Sequence, residues 1–468
     1  MCGIFGVFGK NISKKQAEQS FAAIEHRGKD AVGKIEEKER ILMHCLHAVV
    51  GNVKQPLIAE KDKEKSIFMT NCEIYNWKEL KKKYNLNAKN DAELLFLLFK
   101  DKANKAVEQI LEELDGVYAF FYQTQSKVIL ARDILGEKPL CYVHTKDVFA
   151  FASEAKALEM YGTVQHLRPT EILEYNTETN KIKITERSFF KIPKETAETK
   201  EQIIQKLETY FTQAIQKRAE DIEHYGILFS GGIDSTLVAF ASKKIKKTFT
   251  CYTAAFADGN TRDAPDLLQA QEVAKRLNFP LKTKILTLEE TETAVKEVIN
   301  IIETTDAIKV GVALPFYVCA KMAAEDGHKV LFSGLGSEEL FAGYQRHLDV
   351  YKNKGNVNAE CLKGLAQLWE RDLYRDDLIT MANTIELRLP FLDDDLIKYA
   401  LSIPAKEKID HMQNKIILRE FAKKIGIPEQ FAERKKIAAQ YGSNFDKALE
   451  KLAKKAGCKS KKEYLERI

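Results

Sequence analysis

The sequence holds no Cys-x-x-Cys pair; its eight cysteines stand at positions 2, 45, 72, 141, 251, 319, 361 and 458. A zinc ribbon or a redox dithiol is therefore not expected, and most of these thiols read as small buried hydrophobes. No apolar run approaches the roughly 20 residues of a membrane span. The opening Met1-Cys-Gly-Ile-Phe-Gly-Val-Phe carries no basic leader and is too short for a signal peptide. The expectation is a cytoplasmic protein with reduced thiols and no membrane partner. Excess charge is also missing. A net charge of +5 over 468 residues is too small for a dedicated nucleic-acid binder, so no nucleic-acid partner is expected. Internal repeats and low-complexity segments are absent. What remains is 45% hydrophobic and 30% charged, the balance of a globular protein with real cores, and the length points to two or three domains.

The stretch Tyr225-Gly-Ile-Leu-Phe-Ser-Gly-Gly-Ile-Asp-Ser-Thr236 organises the second half. Ile227 to Phe229 reads as a buried strand, Ser230 to Gly232 as a tight turn, and Thr236 to Ser242 as a helix. Unpaired N–H groups in a first helical turn, with the helix dipole behind them, favour an anion. Gly231 and Gly232 let backbone approach it without a Cβ in the way. Asp234 would repel a bare phosphate, which calls for a bridging Mg²⁺. No Gly-Lys-Ser/Thr closes the loop, so cleavage between β- and γ-phosphates is not expected. Val330-Leu-Phe-Ser-Gly-Leu-Gly-Ser-Glu-Glu-Leu-Phe-Ala-Gly-Tyr344 repeats the design. Its acidic first turn fits an ordinary helix start or a metal. Two such loops in one domain favour an ATP–Mg²⁺ site.

Around these loops, strands at Phe249 to Phe256 and Leu281 to Leu286 alternate with helices at Glu201 to Arg218 and Ala264 to Leu277. That alternation predicts a doubly wound parallel sheet with its site at the strand C-termini. In the first half, Lys127 to Ala131, Val148 to Ala152, Glu171 to Tyr175 and Lys181 to Thr185 read as strands, and Leu94 to Phe99 as a buried helix face. Lys191 to Glu201 reads as a linker. The domains expected are thus residues 1–190, the linker 191–201, and residues 202–468. The basic tail Lys451 to Arg467 reads as a solvated helix.

Cys2 becomes the first residue if Met1 is removed. Its thiol then has a built-in base, an α-amine titrating near pKa ~7.7–8.0. Met1-Cys-Gly-Ile-Phe-Gly resembles the start of class II glutamine amidotransferases. In the expected order follow His26-Arg-Gly-Lys-Asp30, Asn71-Cys-Glu-Ile-Tyr-Asn76, Asn90-Asp91, Leu114 to Phe120, Ala131 to Leu140 and Ala152 to Leu158. The resemblance implies an N-terminal-nucleophile αββα sandwich. It makes Cys2 the nucleophile and assigns the oxyanion site to the Asn71 amide and the Cys72 N–H. Glutamine binding falls to Leu46, His47, Ala48, Val49, Val50, Asn71, Cys72, Glu73 and Asp91, with Asp91 taking the α-amine. Leu46 stands where the family has the Arg that grips the α-carboxylate, and leucine cannot form charge-assisted bonds. His47 or Lys54 are the candidate substitutes. Without one, ammonia becomes the better nitrogen source.

The loop Ser230 to Ser235 resembles that of N-type ATP pyrophosphatases. Ser333 to Glu339, Ala264-Pro-Asp266, Glu386 to Asp393, Lys415-x-x-Leu418-Arg419 and Arg434-Lys-Lys436 resemble segments of the asparagine synthetase family. The resemblance implies ATP binding by Phe229, Ser230, Gly231, Gly232, Asp234, Ser235, Ala254, Ser333 and Gly334. It implies Mg²⁺ held by Asp234 and Glu338, and Lys436 as a catalytic clamp on departing pyrophosphate. Glu338 replaces a family Asp, Leu335 a family Glu, and Gly311 a family Arg. The expectation is a divergent glutamine-hydrolysing asparagine synthetase, acting on glutamine, aspartate and ATP as a homodimer. The departures keep alternatives open: an amide ligase or β-lactam-synthetase-like enzyme for another carboxylate, or a weakly catalytic nucleotide-binding regulator.

Overall fold

The computed structural model describes residues 2–61, 64–101, 106–259 and 263–468, so Met1 lies outside the described residues. The chain divides into two compact units, Met1–Phe189 with Trp369–Asp377, and Phe190–Leu368 with Leu378–Ile468.

The first unit has two six-stranded antiparallel sheets. In one, Gly3–Gly9 lies between Arg40–Leu46 and Val148–Ala152; in the other, Glu64–Ile74 lies between Leu57–Lys61 and Gly116–Thr124. Alternation along the strands gives each sheet an apolar inner face. Phe8 and Phe151 from one sheet meet Phe121 and Leu130 from the other in a single core, and Phe121 stacks on Phe151 at 4.9 Å. Each such ring contributes about 1.5–3 kcal/mol by burial, enough to drive face-to-face stacking. The outer faces are covered too. The helix Asp91–Asp101 lays Leu94, Leu95, Leu98 and Phe99 over Phe68 and Phe120. Lys14–Ala22 lays Ala17 and Phe21 over Phe5 and Val7. The result is the expected αββα layering. The strands anticipated at 127–131, 171–175 and 181–185 are each one residue longer, Lys127–Arg132, Glu171–Asn176 and Lys181–Glu186.

The second unit is built on a five-stranded parallel sheet, ordered Leu281–Leu286, Thr248–Phe256, His224–Leu228, Val330–Phe332, Glu386–Arg388. His224–Leu228 is central, with its successor on one side and the strand at 330 on the other. The connection therefore changes direction there, and a crevice opens at the strand C-termini of such a switch point. The chain is irregular up to Thr199, which caps the helix Lys200–Ala219 reciprocally with Gln202. Pro265 opens the helix Pro265–Leu277, and Asn278 closes it in the left-handed conformation.

Two sequence expectations need correction. The helix Ala307–Glu325 is long and apolar enough to cross a membrane by length and composition, with half of that window buried inside the protein. It packs on Thr248–Phe256 and Leu288–Ile302 with Val310, Leu314 and Val318 enclosed, the position of a core helix over a parallel sheet. The basic tail is not a solvated helix either. It forms two helices, Phe445–Lys455 and Lys461–Arg467, whose Leu449, Leu452, Tyr464 and Leu465 are buried. Its lysines occupy the outer faces of amphipathic elements.

Candidate functional site

Among the described residues, two clusters of chemistry-bearing side chains emerge, one in each unit. In the first unit, Cys2 immediately precedes the strand Gly3–Gly9 and is buried. Its nitrogen donates to Asn71 Oδ1 at 2.9 Å, across to the facing sheet. Asn71 is fully enclosed, and its Nδ2 has no hydrogen-bond partner. A buried amide donor left open carries a desolvation cost that an arriving oxyanion would relieve. Cys72, beside it, is partly exposed and lies within the strand Glu64–Ile74. It is not among the residues with positive φ, so a side chain at this position leaves the backbone unstrained. Its Sγ lies 3.5 Å from Asp91 Oδ2. Burial, and then the Asp91 carboxylate, push the Cys72 thiol well above its ordinary pKa. Cys72 is thus a neutral thiol at pH 7, not a second nucleophile.

Asp91 opens the helix Asp91–Asp101 and accepts from Ile74 N at 3.1 Å and Ala92 N at 2.9 Å. Glu73 is buried on the strand beside it. The run 46–50, expected from the sequence to bind glutamine, begins at the end of the strand Arg40–Leu46. Leu46 and His47 are buried; Ala48, Val49 and Val50 are half-buried. Asp30 fixes the run by accepting from Ala48 N at 2.7 Å, and Asn90 Nδ2 donates to Val50 O at 3.3 Å. Of the two candidate substitutes for an arginine at position 46, Lys54 is exposed and His47 is enclosed. Sequence reasoning did not single out Arg27 and Glu154. Arg27 Nε donates to the Cys2 carbonyl at 3.1 Å, and its Nη1 to Glu154 Oε1 at 2.7 Å. Glu154 also meets His26 at 3.0 Å. Burial opposes ionisation of Glu154, yet His26 and then Arg27 hold its pKa below the ordinary carboxylate value.

In the second unit, both Gly/Ser loops leave the sheet at the switch point. The helix Ile233–Lys244 starts three residues before the expected Thr236, and its N-cap Gly232 offers no side chain to the first-turn N–H groups. Those donors stay open to an anion. Gly231 has φ +68°, and a Cβ there would lie 2.8 Å from Ala270 N. A Cβ on Gly334 would lie 2.7 Å from Asp234 Cβ, so the two loops touch. Phe229 and Ala254 are buried at the strand ends behind them, Ser230 and Gly334 are partly exposed, and Ser333 is buried with its Oγ accepting from Leu335 N at 3.3 Å. Ser235 Oγ donates to Gly232 O at 3.1 Å.

The centre of this cluster is Lys415, to which the sequence alone assigns no role. Its Nζ reaches both oxygens of Asp234 at 2.8 Å, Ser337 Oγ at 3.0 Å and Glu338 Oε1 at 2.6 Å. Lys436, on an exposed stretch, also pairs with Glu338 Oε1. Burial opposes the charge of Glu338, but Lys415 and then Lys436 lower its pKa below the ordinary range. Glu338 Oε2 is buried with no hydrogen-bond partner. An anionic oxygen without a donor beside a second carboxylate fits a hard divalent cation. Arg434 bridges Ser230 O at 3.3 Å and Asp266 Oδ1 at 2.9 Å, and burial pushes Asp266 up to about 6 against Arg434's pull. Gly311 faces the tail: a Cβ there would lie 3.1 Å from Gln440 Cβ. A side chain at 311 would therefore press on Gln440.

The amino-acid sequence matches two family models, one described as a glutamine amidotransferase domain over residues 1–213 and one as asparagine synthase over residues 206–359 and 350–467. A Methanocaldococcus jannaschii protein assigned as a glutamine-hydrolysing asparagine synthetase is 34% identical over 551 residues, spanning 100% of this chain and 98% of its own length. The asparagine synthetases of Gallus gallus and Rattus norvegicus are each 30% identical, covering 94% of this chain and 84% of theirs. Among solved structures, a glutamine phosphoribosylpyrophosphate amidotransferase from B. subtilis aligns at 17% identity and a TM-score of 0.37, over 60% of this chain and 65% of that one.

Proposed function

This chain belongs to the glutamine-hydrolysing asparagine synthetase family, and on that premise we propose that it makes asparagine from aspartate, with glutamine as nitrogen donor and ATP as co-substrate. The carrying observation is the coexistence in one chain of two sites. One sets a cysteine beside an open amide donor; the other sets two acids and two lysines at a phosphate-type switch point.

In this reading the Cys2 thiolate attacks the side-chain amide carbon of glutamine. Asn71 Nδ2 and the Cys72 N–H receive the oxyanion. The Cys2 amine delivers the proton that lets ammonia leave, and water then releases glutamate from the thioester. At the second site the aspartate side-chain carboxylate attacks the α-phosphorus of ATP and pyrophosphate departs. Ammonia attacks the resulting acyl-adenylate, giving asparagine and AMP. Lys436 and the first-turn N–H groups of Ile233–Lys244 stabilise charge on the departing pyrophosphate. Asp234 and Glu338 would hold Mg²⁺, which supplies charge neutralisation to the phosphates when bound. Lys415 keeps those acids ordered. Leu46 to Val50, Glu73 and Asp91 bind glutamine; Phe229, Ser230, Gly231, Gly232, Asp234, Ser235, Ala254, Ser333 and Gly334 bind ATP.

The reading takes residues 1–190 as the glutaminase domain, 191–201 as a linker and 202–468 as the synthetase domain, in a cytoplasmic homodimer. Gly311, which stands in place of a family arginine and abuts Gln440, favours a second reading, an amide ligase for another carboxylate. The carboxylic acid that stimulates exchange of labelled pyrophosphate into ATP separates the two. For the main reading, Cys2→Ala is expected to abolish glutamine-driven synthesis and keep ammonium-driven synthesis. Retained glutamine-driven synthesis would refute the glutaminase assignment.

A further inference from the structure

The segment 369–377 lies far beyond the amidotransferase match, which ends at residue 213, yet it is part of the first unit. It opens with a π-helical turn, Trp369–Leu373, a rare geometry that redirects the side chains after it. Within that unit the Arg132 guanidinium lies 5.7 Å over the Trp369 ring, and the Tyr374 ring meets His166 edge-on at 4.8 Å.

Two further contacts converge on one group. The Tyr374 hydroxyl accepts from Ala155 N at 3.1 Å, directly after Glu154. Asp377 Oδ2 pairs with Arg27 Nη2 at 2.8 Å. Arg27 thus faces three ways: to the Cys2 carbonyl at 3.1 Å, to Glu154 at 2.7 Å and to Asp377. Arg27 and Glu154 are fully enclosed and Asp377 nearly so. Burial works against the Arg27 charge, but Asp377 first and Glu154 next raise its pKa above the ordinary value. A planar guanidinium held on three sides cannot turn without breaking a buried charge-assisted bond.

We infer that Asp377, supported by Tyr374, is a positioning residue for the glutaminase nucleophile. It holds Arg27, Arg27 holds the Cys2 carbonyl, and Cys2 keeps its amine on Asn71 Oδ1. Neither Asp377 nor Tyr374 touches the reacting amide. The inference rests on Cys2 being the nucleophile. It makes glutaminase turnover depend on a segment that the amidotransferase pattern does not contain.

The test uses the full chain and three variants, Asp377→Asn, Asp377→Glu and Tyr374→Phe. Glutamate release from glutamine and AMP formation with ammonium are measured side by side. Asp377→Asn is expected to lower glutaminase kcat by about tenfold or more, with glutamine KM nearly unchanged, because geometry rather than binding is lost. Asp377→Glu should recover most of that loss. Tyr374→Phe, which keeps the ring, should lower kcat in the same direction by a smaller factor. Ammonium-driven AMP formation should stay at the wild-type level in all three. Unchanged glutaminase kcat in both Asp377→Asn and Tyr374→Phe would overturn the inference, and so would an equal fall of both activities in Tyr374→Phe. A wild-type chain lacking glutaminase altogether would instead overturn the assignment of Cys2.

Discussion

Asn71 uses its carbonyl oxygen to hold the Cys2 nitrogen and keeps its amide nitrogen enclosed and unpartnered. Removing it takes away both the anchor of the amine and an oxyanion donor. Asn71→Ala is expected to lower glutaminase kcat by roughly 10²–10³-fold, measured as glutamate release, with ammonium-driven synthesis untouched. A loss smaller than about tenfold would place the oxyanion elsewhere. Lys415 poses the opposite problem, since one ammonium neutralises two acids. Lys415→Met would leave Glu338 and Asp234 facing each other with Lys436 alone. The expected loss of stability is roughly 3–5 kcal/mol, as for other broken buried pairs; urea unfolding at pH 7 measures it. Lys415 was hard to read from the sequence because its partners lie about 180 and 77 positions away. It also sits in a left-handed conformation, φ 55°, ahead of its helix. The only signal was indirect: two acidic Gly/Ser loops in one site need a cation between them.

At the scale of elements, the legible parts were those whose chemistry is local. The strand–turn–helix at 224–244 and its counterpart at 330–340 carry their glycines, acids and apolar runs in contiguous stretches, so their shape and their likeness to each other could be read directly. Their contact could not, because it depends on the Gly334–Asp234 approach. Gly334→Ala is expected to force the loops apart and to worsen kcat/KM for ATP by roughly tenfold or more, in steady-state kinetics. Lysines dominate the composition of the tail and mask its apolar face, although Phe445, Leu449 and Leu452 recur at helical spacing. The π-helical turn at 369–373 gives no periodic signal at all. The strand Arg40–Leu46 carries a pH dependence. His44 is fully enclosed, and burial, opposed by its bond to Thr70 O, lowers its pKa from 6.5 to about 4. The folded state therefore binds fewer protons than the unfolded chain between those values. This stabilisation is fully present above pH 6.5 and is lost as pH falls toward 4, amounting to about 3 kcal/mol. His44→Gln should flatten the fall of unfolding free energy over that window by one proton's worth; an unchanged slope would show that His44 is not buried neutral.

For the whole molecule, the pairing of an amidotransferase domain with an asparagine synthase domain decides the function more than any single residue does. Leu46, Leu335 and Gly311 leave the acceptor and the nitrogen donor as the points on which the proposal stands or falls. Each site can be interrogated in the intact chain by choosing the nitrogen source. The most direct measurement is product identification with ATP, Mg²⁺ and aspartate, run in parallel with glutamine and with ammonium. The account predicts asparagine, AMP and pyrophosphate in equal amounts from both donors, with glutamate appearing only in the glutamine reaction. No asparagine from either donor, in a chain that still hydrolyses glutamine, would contradict it and move the acceptor to another carboxylate.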